Sequence, residues 1–191
     1  EHGPHLPLRN DLALAEYFAG RVAAASAVVV TPPLTYHFYP AFLEYPGSTS
    51  LTLETSRDLT VDVVRSLARS GPRRFYVLNT GISTRRPLEA AASTLAAEGI
   101  LMAFTDFGSA ADAAAGSVKQ QETGSHADEI ETSMMLYIDP GSVDMRLAVK
   151  DASPAPSGPV RLTRQQNAGG IYSPTGTWGD PTLATAEKGK V

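Results

Sequence analysis

Phe75-Tyr76-Val77-Leu78-Asn79-Thr80-Gly81-Ile82-Ser83-Thr84, then Pro87 to Glu98, Gly99, and Ile100-Leu101-Met102-Ala103-Phe104, reads as strand, small-residue loop, helix and strand. The two short runs are apolar, β-branched and aromatic, and the segment between them has helical length and ends on glycine. Two strands joined by a helix lie parallel, and ligands bind beyond their carboxyl ends. The loop at 79–84 lacks the glycine spacing of a phosphate cradle or a dinucleotide fingerprint.

Working outward, Leu12, Ala15, Phe18, Ala19 and Val22 recur at helical spacing, so residues 11–25 read as a helix that Asn10 or Asp11 would cap. Ala27-Val28-Val29-Val30 reads as a buried parallel strand. Residues 34–50 form an aromatic loop with Tyr36, His37, Phe38, Tyr39, Phe42 and Tyr45, read either as a flap on the core or as a substrate wall or subunit contact. Leu51-Thr52-Leu53 reads as a brief strand, and Ser56 as the cap of a helix reaching Ser70 and stopped by Gly71-Pro72. Beyond Phe104, residues 105–125 read as a small and polar loop, 153–159 as a Pro/Ser-rich surface loop, and 168–180 as Gly-rich with Trp178. A final helix starts near Asp180-Pro181 and is interrupted by Gly189. Alternating strands and helices predict an α/β fold: a three-layer αβα sandwich around a mostly parallel sheet, in one domain over residues 1–191.

With 191 residues the chain can bury a sizeable core. A net charge of -4, with no basic cluster, argues against a nucleic-acid partner. No apolar run approaches the ~20 residues of a membrane span. There is no cysteine, so disulfides and thiolate chemistry are excluded, and any metal must be held by His, Asp and Glu. Such a donor set points to a catalytic rather than a structural ion.

Glu1-His2-Gly3-Pro4-His5-Leu6-Pro7-Leu8-Arg9-Asn10-Asp11 is the densest group of metal-ligand types in the chain. Its glycine and prolines forbid a continuous helix, so it reads as a stiff loop in which His2 and Asp11 curl onto one ion. The bland alternative is a loop histidine bonded to backbone and an aspartate that only caps a helix. His126-Ala127-Asp128-Glu129-Ile130-Glu131 leads into an apolar run. Its acids read either as complements to a helix dipole or, with His126 and Glu131, as a face toward a metal. The numbering opens inside the first motif, so a strand before Glu1 is expected, and export stays open beside a cytoplasmic expectation.

These stretches together resemble the creatininase (creatinine amidohydrolase) superfamily. Glu1 to Leu8 with Asp11 is similar to its first metal motif, and His126 to Ser133 to its second. Pro46-Gly47-Ser48-Thr49-Ser50-Leu51 resembles its proline-glycine-threonine turn, and Gly179 to Gly189 its C-terminal signature. The resemblance implies an αβα sandwich, assembly into homo-oligomers with the hexamer as a family pattern, and hydrolysis of C–N bonds with zinc or manganese. Family members act on creatinine, on a formylamino-pyrimidine and on a peptide-derived cofactor precursor. Carried over, His2 binds one metal, Asp11 bridges two, Glu131 completes the His2 site, and His126 protonates the leaving nitrogen or steadies the tetrahedral intermediate. The remaining N-terminal ligand, a glutamate, would precede Glu1. The histidine that binds the other metal falls on Gly81, and the acidic base of creatininase itself falls on Ser83. The implied cofactor is therefore one Zn2+ or Mn2+, with the second weak or absent.

The expected function is a metal-dependent amidohydrolase cleaving a non-peptide C–N bond of a small linear or cyclic amide. The alternative is a creatininase-fold protein without turnover that binds small molecules or serves as an oligomeric scaffold. A serine hydrolase is disfavoured, because no Gly-x-Ser-x-Gly elbow occurs.

Overall fold

The computed structural model describes residues 1–105, 107–154 and 161–191. Its elements are α1 (Asn10–Ala25), α2 (Leu53–Ala68), β1 (Arg74–Val77), α3 (Arg85–Ala96), β2 (Leu101–Phe104), α4 (Phe107–Val118), α5 (Glu129–Ile138), β3 (Leu162–Thr163), β4 (Ile171–Tyr172) and α6 (Ala186–Lys190). β1 and β2 pair in parallel, Arg74 opposite Leu101 through Val77 opposite Phe104, with α3 as the crossover. β3 and β4 form a second, shorter parallel pair.

Two apolar clusters hold this frame. The first packs Val61, Val64 and Ala68 of α2 against Leu88, Ala91 and Leu95 of α3 and Met102 of β2. Burying a side chain such as Leu95 contributes about 1.5–3 kcal/mol. The second brings Leu6 of the first loop together with Ala13 and Leu14 of α1, Ala127, and Met135 of α5. This second cluster fixes the opening loop against the helix that follows His126.

Several local expectations are corrected. Val28, Val29 and Val30 are not a strand; they are exposed at 55%, 94% and 45%. Among the described residues no neighbouring strand pairs with them, and a β-branched run needs a ladder partner to become a strand. Leu51 and Thr52 are non-regular, and α2 begins at Leu53 with Thr52 as its cap, the hydroxyl accepting from the Thr55 amide at 3.1 Å. Ser56 is instead fully buried inside that helix. Neither Asn10 nor Asp11 caps α1; Arg9 holds the cap position without a side-chain bond, and Asn10 is buried. Much of 105–125 is α4 rather than loop. Of the expected surface loop, Ser153 and Pro154 are non-regular, and 155–159 lie outside the described residues. Gly189 does not interrupt the last helix; it lies within α6.

Candidate metal centre

Each arm of the first loop and of α5 is aimed by backbone geometry. Gly3 has φ +65, and a Cβ there would lie 2.4 Å from Thr177 Oγ1, so glycine is required where the chain turns after His2. Asp11 sits in the first turn of α1 and Glu131 in the first turn of α5. Asp128 caps α5, its Oδ1 accepting from the amides of Ile130 at 2.9 Å and Glu131 at 3.0 Å. Ala127, with no exposure, adopts a left-handed φ of 48. Its amide donates to Glu131 Oε2 at 2.5 Å and so orients the carboxylate.

The three acids that follow His126 therefore do three different jobs. Asp128 caps the helix, Glu131 faces the first loop, and Glu129 turns away to pair with Lys188 Nζ at 2.5 Å.

The convergence is tight. His2 Nε2 lies 2.9 Å from Asp11 Oδ1 and 3.8 Å from Glu131 Oε1. His2, His126 and Glu131 offer ligand atoms all within 4.8 Å of one another. The rings of His2 and His126 are 4.6 Å apart at 40°. All four site residues expected from the sequence, His2, Asp11, His126 and Glu131, are brought to one place.

His126 is held on several sides. Its backbone forms an antiparallel bridge with Trp178, with amide–carbonyl distances of 3.2 and 2.8 Å. Phe42 stacks on its ring at 4.0 Å and 18°. Its Nε2 lies 2.8 Å from the carbonyl oxygen of Glu1. A carbonyl only accepts, so Nε2 carries the proton and Nδ1 keeps its lone pair. Nδ1 is 4.0 Å from Glu131 Oε2.

Burial opposes charge on His2, but the Asp11 and Glu131 carboxylates outweigh it and raise the imidazole above its ordinary value. Burial raises Asp11 too, yet the positive His2 beside it wins and holds the carboxyl down at about 2. Glu131 is pushed up to about 7, mainly by desolvation. Burial lowers His126 to about 4, so its imidazole is neutral at pH 7.

This donor set fits a divalent cation. Two imidazoles and the Glu131 carboxylate offer ligand atoms within reach of one another, Asp11 joins them through His2 Nε2, and only hard and borderline donors are present. His2 Nδ1 is buried without a hydrogen-bond partner, leaving Nε2 as the nitrogen engaged at the centre.

Sequence reasoning left parts of the wall unassigned. Phe42 and Tyr39 stood out only as members of an aromatic loop; which ring covers His126 depends on the loop's path. Burial raises the Tyr39 phenol, and the nearby Asp11 charge adds to this. Trp178 acts through its backbone, for which composition carries no signal. Gly81 lies beside Tyr39 and offers no side chain.

The whole chain, residues 1–191, matches the family model described as "Creatininase: Creatinine amidohydrolase". It is 32% identical to the "Mycofactocin precursor peptide peptidase" of Mycobacterium ulcerans (strain Agy99), covering 100% of this chain and 74% of that protein. It is 32% identical to the creatinine amidohydrolase of Pseudomonas putida, but only over 41% of this chain and 32% of that one. In fold it is similar to a solved structure described as "Creatininase Mn", with TM-score 0.81 and 24% identity over 100% of this chain and 80% of the other. A second, described as "E122Q mutant creatininase, Zn-Zn type", gives TM-score 0.78 at 24% identity over 100% and 80% of the two chains. The α/β architecture expected from the sequence is therefore the creatininase fold, and the relatives' names support a hydrolase. The motifs around His2 and His126 thus sit in a chain that belongs to the creatininase (creatinine amidohydrolase) family.

Proposed function

We propose that the chain hydrolyses an amide C–N bond at a centre where His2, Asp11 and Glu131 hold one divalent ion, zinc or manganese. The observation that carries this reading is the convergence of one imidazole nitrogen on two carboxylates at 2.9 and 3.8 Å. When bound, such an ion supplies Lewis acidity, polarising an amide carbonyl and making water more acidic.

The chain's own groups then handle the proton. The lone pair on His126 Nδ1 can take a proton from the attacking water as its oxygen bonds to the carbonyl carbon. As the C–N bond breaks, the same nitrogen returns the proton to the leaving amine. The bond from Nε2 to the Glu1 carbonyl fixes the tautomer that this requires. Phe42 covers one face of the imidazole and keeps water from it.

The substrate class we favour is a peptide amide, in place of the small non-peptide amide expected from the sequence. The relatives similar in sequence over the full chain, at 30–32% identity, are described as peptidases, whereas the creatinine amidohydrolase matches in sequence over less than half of it, and the creatininases that match throughout do so in fold at 24% identity.

The test loads purified protein with zinc or manganese and incubates it with creatinine and with a set of short peptides. Free amine release is followed by mass spectrometry. Cleavage of peptides, lost together with the metal in His2→Ala, is the expected result. No cleavage of any amide, or an undiminished metal content in His2→Ala and Asp11→Ala alike, overturns the proposal.

A further inference from the structure

Asp151 touches none of the four residues at the centre, yet two chains of hydrogen bonds lead from it to His126. The first is backbone. Asp151 and Gly179 form an antiparallel bridge, with amide–carbonyl distances of 2.9 and 2.8 Å, and the neighbouring Trp178 forms its own with His126. Residues 178 and 179 are thus held between the two.

The second runs through the Asp151 carboxylate. Its Oδ2 accepts from Ser173 Oγ at 2.7 Å and from Thr175 Oγ1 at 2.8 Å. Each hydroxyl passes the hold to the turn that follows. Ser173 Oγ accepts from the Gly176 amide at 2.9 Å, and Thr175 Oγ1 from the Thr177 amide at 3.2 Å. The Tyr45 hydroxyl steadies the same turn, donating to the Ser173 carbonyl at 2.8 Å. Gly176, at φ +84, then lies against the Glu1 carboxylate so closely that a Cβ there would collide with it. The Gly3 amide donates to Oε1 of that carboxylate. Glu1 is seated between the two glycines, and its carbonyl oxygen lies 2.8 Å from His126 Nε2.

We propose that Asp151 is a positioning residue for His126: by gathering the Ser173 and Thr175 hydroxyls on one oxygen it sets the 173–178 turn, which seats Glu1 and so holds the imidazole with its proton on Nε2. This rests on the reading of His126 as the proton carrier. The tautomer of a histidine is set by the hydrogen bond its other nitrogen makes, and groups behind a reacting side chain govern its orientation. What the turn takes from position 151 is one oxygen with two lone pairs rather than a charge. An amide oxygen also has two, so Asp151→Asn should preserve what Asp151→Ala loses.

The test reads His126 directly, by long-range proton–nitrogen correlation NMR on the zinc-loaded chain with isotope-labelled histidine at pH 7. The His126 signals are assigned by their loss in His126→Asn. Wild type should show one tautomer, protonated on Nε2. Asp151→Ala should show a mixture with the Nδ1–H form and retain its zinc. Its kcat on a peptide that wild type cleaves should fall about 10–10²-fold, with KM changed less than about two-fold. Asp151→Asn should restore both signal and rate. Lys188→Met, destabilised away from this turn, should keep the wild-type tautomer, so the signal does not simply follow stability. A wild type protonated on Nδ1, a folded Asp151→Ala with an unchanged tautomer, or an Asp151→Asn as mixed as Asp151→Ala would each overturn the proposal. Should Asp151→Ala fail to fold, Thr175→Val, which removes one of the two hydroxyls, is read in the same way: some Nδ1–H form supports the proposal and none overturns it. A zinc-loaded wild type that cleaves no amide defeats the proposed function, while the tautomer comparison still decides the role of Asp151.

Discussion

His5 Nε2 and Thr132 Oγ1 lie 2.8 Å apart in the buried interior, joining the opening loop to α5. His5 follows His2 in that loop, and Thr132 is next to Glu131, so one bond ties the two segments that carry the centre. His5 has 1% exposure and Thr132 none. Burial, with the positive His2 nearby, lowers His5 to about 4, which keeps it neutral.

Thr132→Val keeps the side-chain shape and removes the hydroxyl, leaving a buried ring nitrogen without its partner. A lost partner of this kind costs about 1–3 kcal/mol. Urea unfolding of the metal-free protein should show a loss in that range. Metal retention should also weaken, because His2 and Glu131 are no longer held in register. An unchanged unfolding midpoint would mean the bond does not couple the two segments.

Lys188→Met removes the ammonium paired with Glu129. That carboxylate has no exposed surface and takes the Lys188 ammonium, the Gln121 amide at 2.7 Å and the Gln120 amide at 2.9 Å. Removing one partner of a buried pair typically costs about 3–5 kcal/mol. The pH dependence follows from the direction of the Glu129 shift. Burial pushes its pKa up, but Lys188 and the amides outweigh this and bring it below the ordinary 4.5. A depressed folded value means the stabilisation is full above the unfolded pKa and is lost as pH falls through the folded one. Wild type should therefore keep this contribution above the ordinary glutamate value of 4.5 and lose it as pH falls from there through the lower folded value. Lys188→Met should unfold at higher pH in an acid titration followed by circular dichroism.

Gly189→Ala tests the packing of α6 on α5. A Cβ at position 189 would lie 1.9 Å from the Ser133 carbonyl oxygen and 2.8 Å from the Met134 amide nitrogen. Both are backbone atoms of a helix, so the clash is relieved only by separating the two elements. Overpacking of this kind costs about 1–3 kcal/mol. A thermal midpoint equal to wild type would show that α6 is not held where described.

How far the sequence could be read follows from which interactions each feature needs. β1, α3 and β2 were legible because short apolar runs and a Gly99 stop are local signals, and Gly99 does adopt φ +72. The motifs at His2 and His126 were legible because ligand types cluster in them. Val28 to Val30 misled because a strand is decided by its partner, not by its own composition. α4 was missed although Ala113, Ala114 and Ala115 are the strongest helix formers; small size was read as looseness. Gly189 read as a break because only α5, far away in sequence, reveals that the glycine is there for close approach. The meeting of Tyr39 with Gly81 depends on the path of an irregular loop, which no periodicity encodes.

His126→Asn separates a proton-handling role from a metal-holding one. His2, His126 and Glu131 could together form a ligand set, so the question is real. Asparagine is of similar polarity, and its amide can still donate toward the Glu1 carbonyl, but it cannot carry a proton between water and amine. If His126 moves the proton, zinc content should stay close to wild type while peptide hydrolysis falls by about 10²–10⁴-fold. If the residue is chiefly a ligand, the zinc is lost and activity falls with it. Measuring both on the same preparation decides the matter. Phe42→Leu completes the comparison: the stacked ring goes while His126 stays, so zinc content should hold and hydrolysis should drop far less than in His126→Asn.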